Sequence, residues 1–136
     1  MNSFALSGVV EQDMLKDILA ESFHVLQADV FVCETEEGLL NAPPDNPVNV
    51  VWRKLPGDFP MWIDVYSTLD PTSDADIAAA FVTECKIDAL ISDSTPNPYQ
   101  WIQVCAPDGR KALVHVDVNQ LDDRDAFVIA RMVKWL

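Results

Sequence analysis

At 136 residues the chain is long enough for one domain, residues 1–136, that withdraws about two-thirds of its unfolded surface from water without staples. Its 49% apolar content, with 4 Trp and 6 Phe broken regularly by polar stretches, excludes intrinsic disorder despite the high charge. With 22 Asp plus Glu against 9 Lys plus Arg, the formal charge of -13 argues against direct binding of nucleic acid or an anionic membrane surface and favours a basic protein partner.

Apolar residues at Val10, Met14, Leu15, Ile18, Leu19 and Phe23, separated by Glu11, Gln12, Asp13, Lys16, Asp17 and Glu21, predict an amphipathic helix over 10–23. Residues 28–34 are rich in β-branched and aromatic side chains and predict a strand ending in the acidic turn Thr35-Glu36-Glu37-Gly38. The stretch 41–47 holds Pro43, Pro44 and Pro47, whose missing N–H groups make it a surface loop. Strands are predicted over 48–55 and 61–67, linked by Pro56-Gly57-Asp58-Phe59-Pro60.

Ser73 is a favourable N-cap with Asp74 and Asp76 in the first turn, and Ile77, Ala78, Phe81, Val82 and Cys85 form a second helical stripe. A short apolar segment, Ala89-Leu90-Ile91, leads into a turn-rich loop over 92–98. Residues 100–105 and 112–118 read as a hairpin around Pro107-Asp108-Gly109. A symmetric turn places Ile102, Val104, Val114 and Val116 on the core side, and Trp101, Gln103, Leu113, His115 and Asp117 on the other. Asp122, Asp123 and Asp125 ahead of Val128, Met132 and Trp135, with Arg131 and Lys134 near the end, predict a closing helix; alternation through Phe127, Ile129, Val133 and Trp135 competes for a strand. The order helix, three strands, helix, two or three strands, helix predicts an α+β fold: a mostly antiparallel sheet with helices packed against one face, a two-layer sandwich.

Catalytic chemistry finds little to work with. Cys105 and His115 are the nearest nucleophile and base, but the symmetric register puts Cys105 opposite Lys111 and His115 opposite Trp101, so both are expected to be structural. His115 and Asp117 supply two metal ligands where a catalytic zinc wants three; Asp122, Asp123 and Asp125 lack the terminal glutamate of a calcium loop and read as an N-terminal helix cap. The four glycines are isolated and build no phosphate cradle. No catalytic residue, cofactor or metal is therefore expected, and the chain is not read as an enzyme. Cys33, Cys85 and Cys105 signal neither a disulfide framework nor a zinc site, the first eight residues lack a secretory pattern, and no apolar run is long enough to span a membrane, so a cytoplasmic protein is expected.

What remains is surface chemistry. Trp62, Asp64 and Tyr66 alternate on one side of their strand, and the last hairpin is expected to place Trp101, His115 and Asp117 together on one face. Aromatic rings beside carboxylates suit an incoming Arg or Lys.

In Ala89-Leu90-Ile91-Ser92-Asp93, Asn97-Pro98-Tyr99-Gln100-Trp101 and Pro107-Asp108-Gly109, the C-terminal third resembles small immunity proteins encoded beside bacterial polymorphic toxins. The resemblance implies a cytoplasmic inhibitor that occludes one cognate toxin domain, as a monomer or homodimer. In that reading Glu34, Glu36, Glu37, Asp64, Asp93 and Asp117 attract a basic toxin domain, while Trp62, Tyr66, Tyr99 and Trp101 anchor it. In size, acidity and element order the chain is also similar to acidic type III secretion chaperones, which implies a dimer holding an extended effector segment; the segment 89–91 and the loop before Tyr99 depart from that pattern.

Overall fold

The computed structural model describes all 136 residues. In chain order the elements are β1 (Asn2–Leu6), α1 (Gln12–Phe23), β2 (Val30–Cys33), β3 (Val48–Lys54), β4 (Met61–Ser67), α2 (Asp74–Cys85), β5 (Ala89–Ser92), β6 (Gln100–Cys105), β7 (Arg110–Val116), α3 (Val118–Arg124) and β8 (Ile129–Trp135). The strands form one open sheet in the order β2-β3-β4-β1-β5-β6-β7-β8, antiparallel throughout except for β2 beside β3. The fold is α+β. No helix is long and apolar enough to cross a membrane.

Helices α1 and α2 lie on one face of the sheet, as their apolar stripes require. Leu15, Ile18, Leu19 and Phe23 from α1 and Ile77, Phe81 and Val82 from α2 pack on Phe4, Leu6, Met61, Ile63 and Val65 in a core of 21 residues. Ser73 caps α2 as expected, its Oγ accepting the Asp76 N–H at 3.1 Å. Each helix stops at a residue in the left-handed conformation, His24, Lys86 and Asp125, none of them glycine.

The central strand β1 has no counterpart in the sequence reading. It is only five residues long, and both its faces are buried: Phe4 and Leu6 meet the helices while Ala5 faces the other way, so no polar alternation marks it. Asn2 ties its start to α2, donating to the Thr72 carbonyl at 2.6 Å and to Asp74 Oδ1 at 2.7 Å.

Two expectations are corrected at the C-terminus. The hairpin pairs Cys105 with Arg110 and Gln100 with His115, one residue away from the symmetric register, because Gly109, at φ +77°, closes the turn with its N–H on the Cys105 carbonyl. A slip of one residue exchanges the faces of β7 relative to β6. Trp101 and Gln103 therefore share a face with Ala112, Val114 and Val116, whereas Ile102 and Val104 lie with Leu113 and His115 on the helix side. The predicted closing helix is replaced by the short α3 and then β8. Asp122 and Asp123 lie within α3 and Asp125 ends it at φ 53°, so these acids do not begin a helix. Buried Ala126 and Phe127 then turn the chain back, the Phe127 carbonyl accepting the Asp58 N–H at 2.9 Å, and the strand alternation prevails over 129–135.

The opposite face carries a smaller cluster: Ala5, Leu90, Ala112, Val114 and Val116 beneath Phe59 and Phe127, which come from connections rather than helices. The short α3 lies on this side, with Leu121 packed against the cluster. The 3-10 turn Glu37–Asn41 covers the β2–β3 end of the same side, bringing Gly38 so close to Cys33 that a Cβ would sit 2.8 Å from its side chain. The two long helices thus share one face, as expected, and the other carries only the seven-residue α3 and this 3-10 turn.

Candidate functional site

Alternation along β4 sends Met61, Ile63 and Val65, all fully buried, toward the helices and Trp62, Asp64 and Tyr66 onto the opposite face. Neighbouring strands complete the strip: Ser3 pairs with Asp64, Arg53 with Trp62 and Asn49 with Tyr66. The Asp64 carboxylate is oriented by two donors on Oδ1, Ser3 Oγ at 2.6 Å and Trp62 Nε1 at 3.1 Å. Glu36, at the start of the 3-10 turn, comes close enough to act on Tyr66. Burial pushes the Tyr66 phenol up, the negative charges of Asp64 and Glu36 add to it, and Arg53 opposes them. Glu36, Asp64, Tyr66 and Trp62 are therefore brought together on one open strip, with the exposed Glu34 and Glu37 on the adjoining segment.

At its other end the strip runs into aromatic packing. Phe127 stacks on Trp62 with centroids 5.7 Å apart and meets Trp101 edge-on at 5.1 Å. Trp101 donates its indole N–H to the Pro98 carbonyl at 2.9 Å, and Tyr99 donates to Asp122 at 2.8 Å. The hydrogen bond to Asp122 raises the Tyr99 phenol, with smaller contributions from burial and the same negative charge. Trp62 and Trp101 are only half-buried, and a cleft of about 180 Å³ opens beside Trp62, lined by Arg53, Leu55, Leu121, Asp125 and Phe127. Its apolar walls and flanking charges can receive one long side chain.

Two of the expected partner-binding acids serve the fold. Asp117 caps α3, accepting the Gln120 N–H at 2.9 Å. Asp93 lies across the sheet from the strip, where it accepts Gln100 Nε2 at 2.6 Å and Thr95 Oγ1 at 2.9 Å. Burial pushes the Asp93 carboxyl up, but these hydrogen bonds outweigh it and hold the group below its ordinary value. His115 continues that chain, 3.1 Å from Gln100 Oε1 and 3.2 Å from Arg131 Nη2. With Gln100 presenting an oxygen and Arg131 a donor, the neutral ring protonated on Nε2 satisfies both. The expected grouping of Trp101, His115 and Asp117 on one face does not form.

Cys105 and His115 lie on opposite faces of the hairpin. Burial raises the thiol pKa of Cys33, Cys85 and Cys105, with Glu84 adding at Cys85 and Asp88 and Asp108 at Cys105. No group of three or more His, Cys, Asp and Glu side chains converges as a metal would require.

Sequence reading missed Ser3, Arg53, Leu121, Asp125 and Phe127. Alternation along 48–54 could have placed Arg53 beside Trp62 once β3 and β4 were paired; Ser3 and Phe127 depend on β1 and on the C-terminal turn. No family model, curated protein or solved structure matches the chain.

Proposed function

We propose that this protein is a stoichiometric, non-enzymatic inhibitor of the immunity type, which binds a basic toxin domain in the cytoplasm and occludes it. The reading rests on one observation: the face opposite α1 and α2 is left open between the 3-10 turn Glu37–Asn41 and α3, where Trp62, Asp64, Tyr66 and Glu36 converge. Prealigned carboxylate and aromatic groups beside a half-apolar cleft suit Arg or Lys side chains presented by a folded partner. The charge of -13 favours fast encounter with such a partner.

Native partner recovered on the tagged protein tests this in stopped-flow binding. Glu36→Lys/Glu37→Lys is expected to slow association about tenfold at low salt, and Tyr66→Ala to speed dissociation by about tenfold or more. Unchanged rates in both series would sink the choice of face. A secretion chaperone is the second reading, supported by an apolar cleft between the start of α1 and the end of α2, lined by Val9, Val10, Met14, Cys85 and Ile87. The central strand β1, and the edge strand β8 in place of a third long helix, nevertheless depart from the order helix, three strands, helix, two strands, helix of those proteins. Hydrogen exchange on the bound partner separates the two, since only the chaperone leaves its partner extended.

A further inference from the structure

The β7–β8 ladder has a charge unlike the rest of the molecule. Residues 110–116 and 129–135 contain Arg110, Lys111, Arg131 and Lys134 and not one carboxylate, within a chain of net charge -13. All four cations are exposed. β8 is the last strand of the sheet, so its outer N–H and C=O groups have no ladder partner. It also exposes Met132 by 48% and Trp135 by 43%, which share one side of the sheet through their pairing with Val114 and Ala112, apolar surface that a solvated edge does not require.

Three occupants could cover such an edge, and charge separates them. A second copy pairing β8 antiparallel to β8 would gather Arg131 and Lys134 from both chains on one side of the sheet, and like charges across neighbouring strands are destabilising. Two register shifts, which leave Ala130 and Val133 as inserted residues, further twist the edge away from a flat symmetric pairing. A nucleic acid could stack a base on Trp135, but it would meet the repulsion of the whole acidic body and leave the free backbone groups of the edge without ladder partners.

We propose that β8 is a docking edge for an extended, carboxylate-bearing segment of another protein, which adds a ninth strand to the sheet. Its backbone would complete the open ladder. Carboxylates on one side would face Lys111, Arg131 and Lys134, which share the helix side of the sheet through their pairing with Val104, His115 and Leu113. Apolar residues on the other side would cover Met132 and Trp135, the latter already held by Arg110, whose guanidinium lies 3.9 Å from the ring centroid. This edge is separate from the strip on β4 and does not depend on that assignment.

The test uses the full-length ¹⁵N-labelled protein with a short capped peptide alternating glutamate and valine, its lysine–valine counterpart and an oligothymidylate. The glutamate peptide is expected to slow amide exchange over residues 130–135 and to bind about tenfold more tightly than the lysine peptide. The exposed pair Lys111→Glu/Lys134→Glu, whose side chains make no hydrogen bond in the fold, is expected to reverse that preference. Equal binding of the two peptides, or protection elsewhere in the chain, would overturn the proposal. Oligothymidylate protecting the same amides as strongly would make the edge a general anion patch, and protection of these amides on self-association without peptide would make it a dimer interface. Either result would also overturn the assignment.

Discussion

Asp64 and Tyr66 show how single side chains set the character of the β4 strip. Two donors fix one oxygen of Asp64, so Ser3→Ala is expected to loosen the carboxylate without changing the charge, slowing partner association less than Glu36→Lys/Glu37→Lys does. Tyr66 reports on the electrostatics directly. Burial raises its phenol above the ordinary value near 10, and Asp64 and Glu36 raise it further. A raised folded-state pKa means that the folded protein holds this proton more tightly. The stabilisation is complete below the unfolded value near 10 and is lost as pH rises through the folded one. In a Tyr99→Phe background, ultraviolet titration is expected to find the remaining phenol above 10, with Glu36→Gln moving it down toward 10. No movement on that substitution would remove Glu36 from the strip.

The elements that frame the strip are held by few contacts. Asp117 caps the seven-residue α3, so Asp117→Ala is expected to cost about 1 kcal/mol in denaturant unfolding and to loosen the Leu121 wall of the cleft. Phe127 is 6% exposed and touches both Trp62 and Trp101; Phe127→Ala is expected to cost about 3–5 kcal/mol and to change tryptophan fluorescence, because it empties the roof of the smaller core. Much at this scale was legible in the sequence. The stripes of α1 and α2, the Ser73 cap and the alternation of β4 follow from period and chemistry, and the structure keeps them to within a few residues at their ends. The rest depended on longer-range facts. Whether the hairpin turn held its centre or slipped by one residue decided the face of every β7 side chain, and this separated His115 from Trp101. The tail satisfied helical and strand periods together until Phe127 anchored it. β1 is recognised only by its neighbours, which bury it on both sides.

At the level of the whole molecule, one sheet presents two chemically different surfaces. The β4 strip and the acidic body around it repel anions, whereas the β7–β8 edge carries four cations and no carboxylate. Net charge was legible at once, but its segregation was not, because it appears only when β7 and β8 pair. Encounter through the acidic surface should be screened by salt, so raising ionic strength is expected to lower the association rate while leaving dissociation nearly constant. The most direct test of the central claim is amide hydrogen exchange of this protein, free and in complex with the basic partner proposed for it. Slowed exchange confined to residues 36–40, 53 and 62–66 is the predicted footprint. Slowed exchange over α1 and α2, with the β4 strip unchanged, would contradict the assignment of the face opposite those helices as the binding surface.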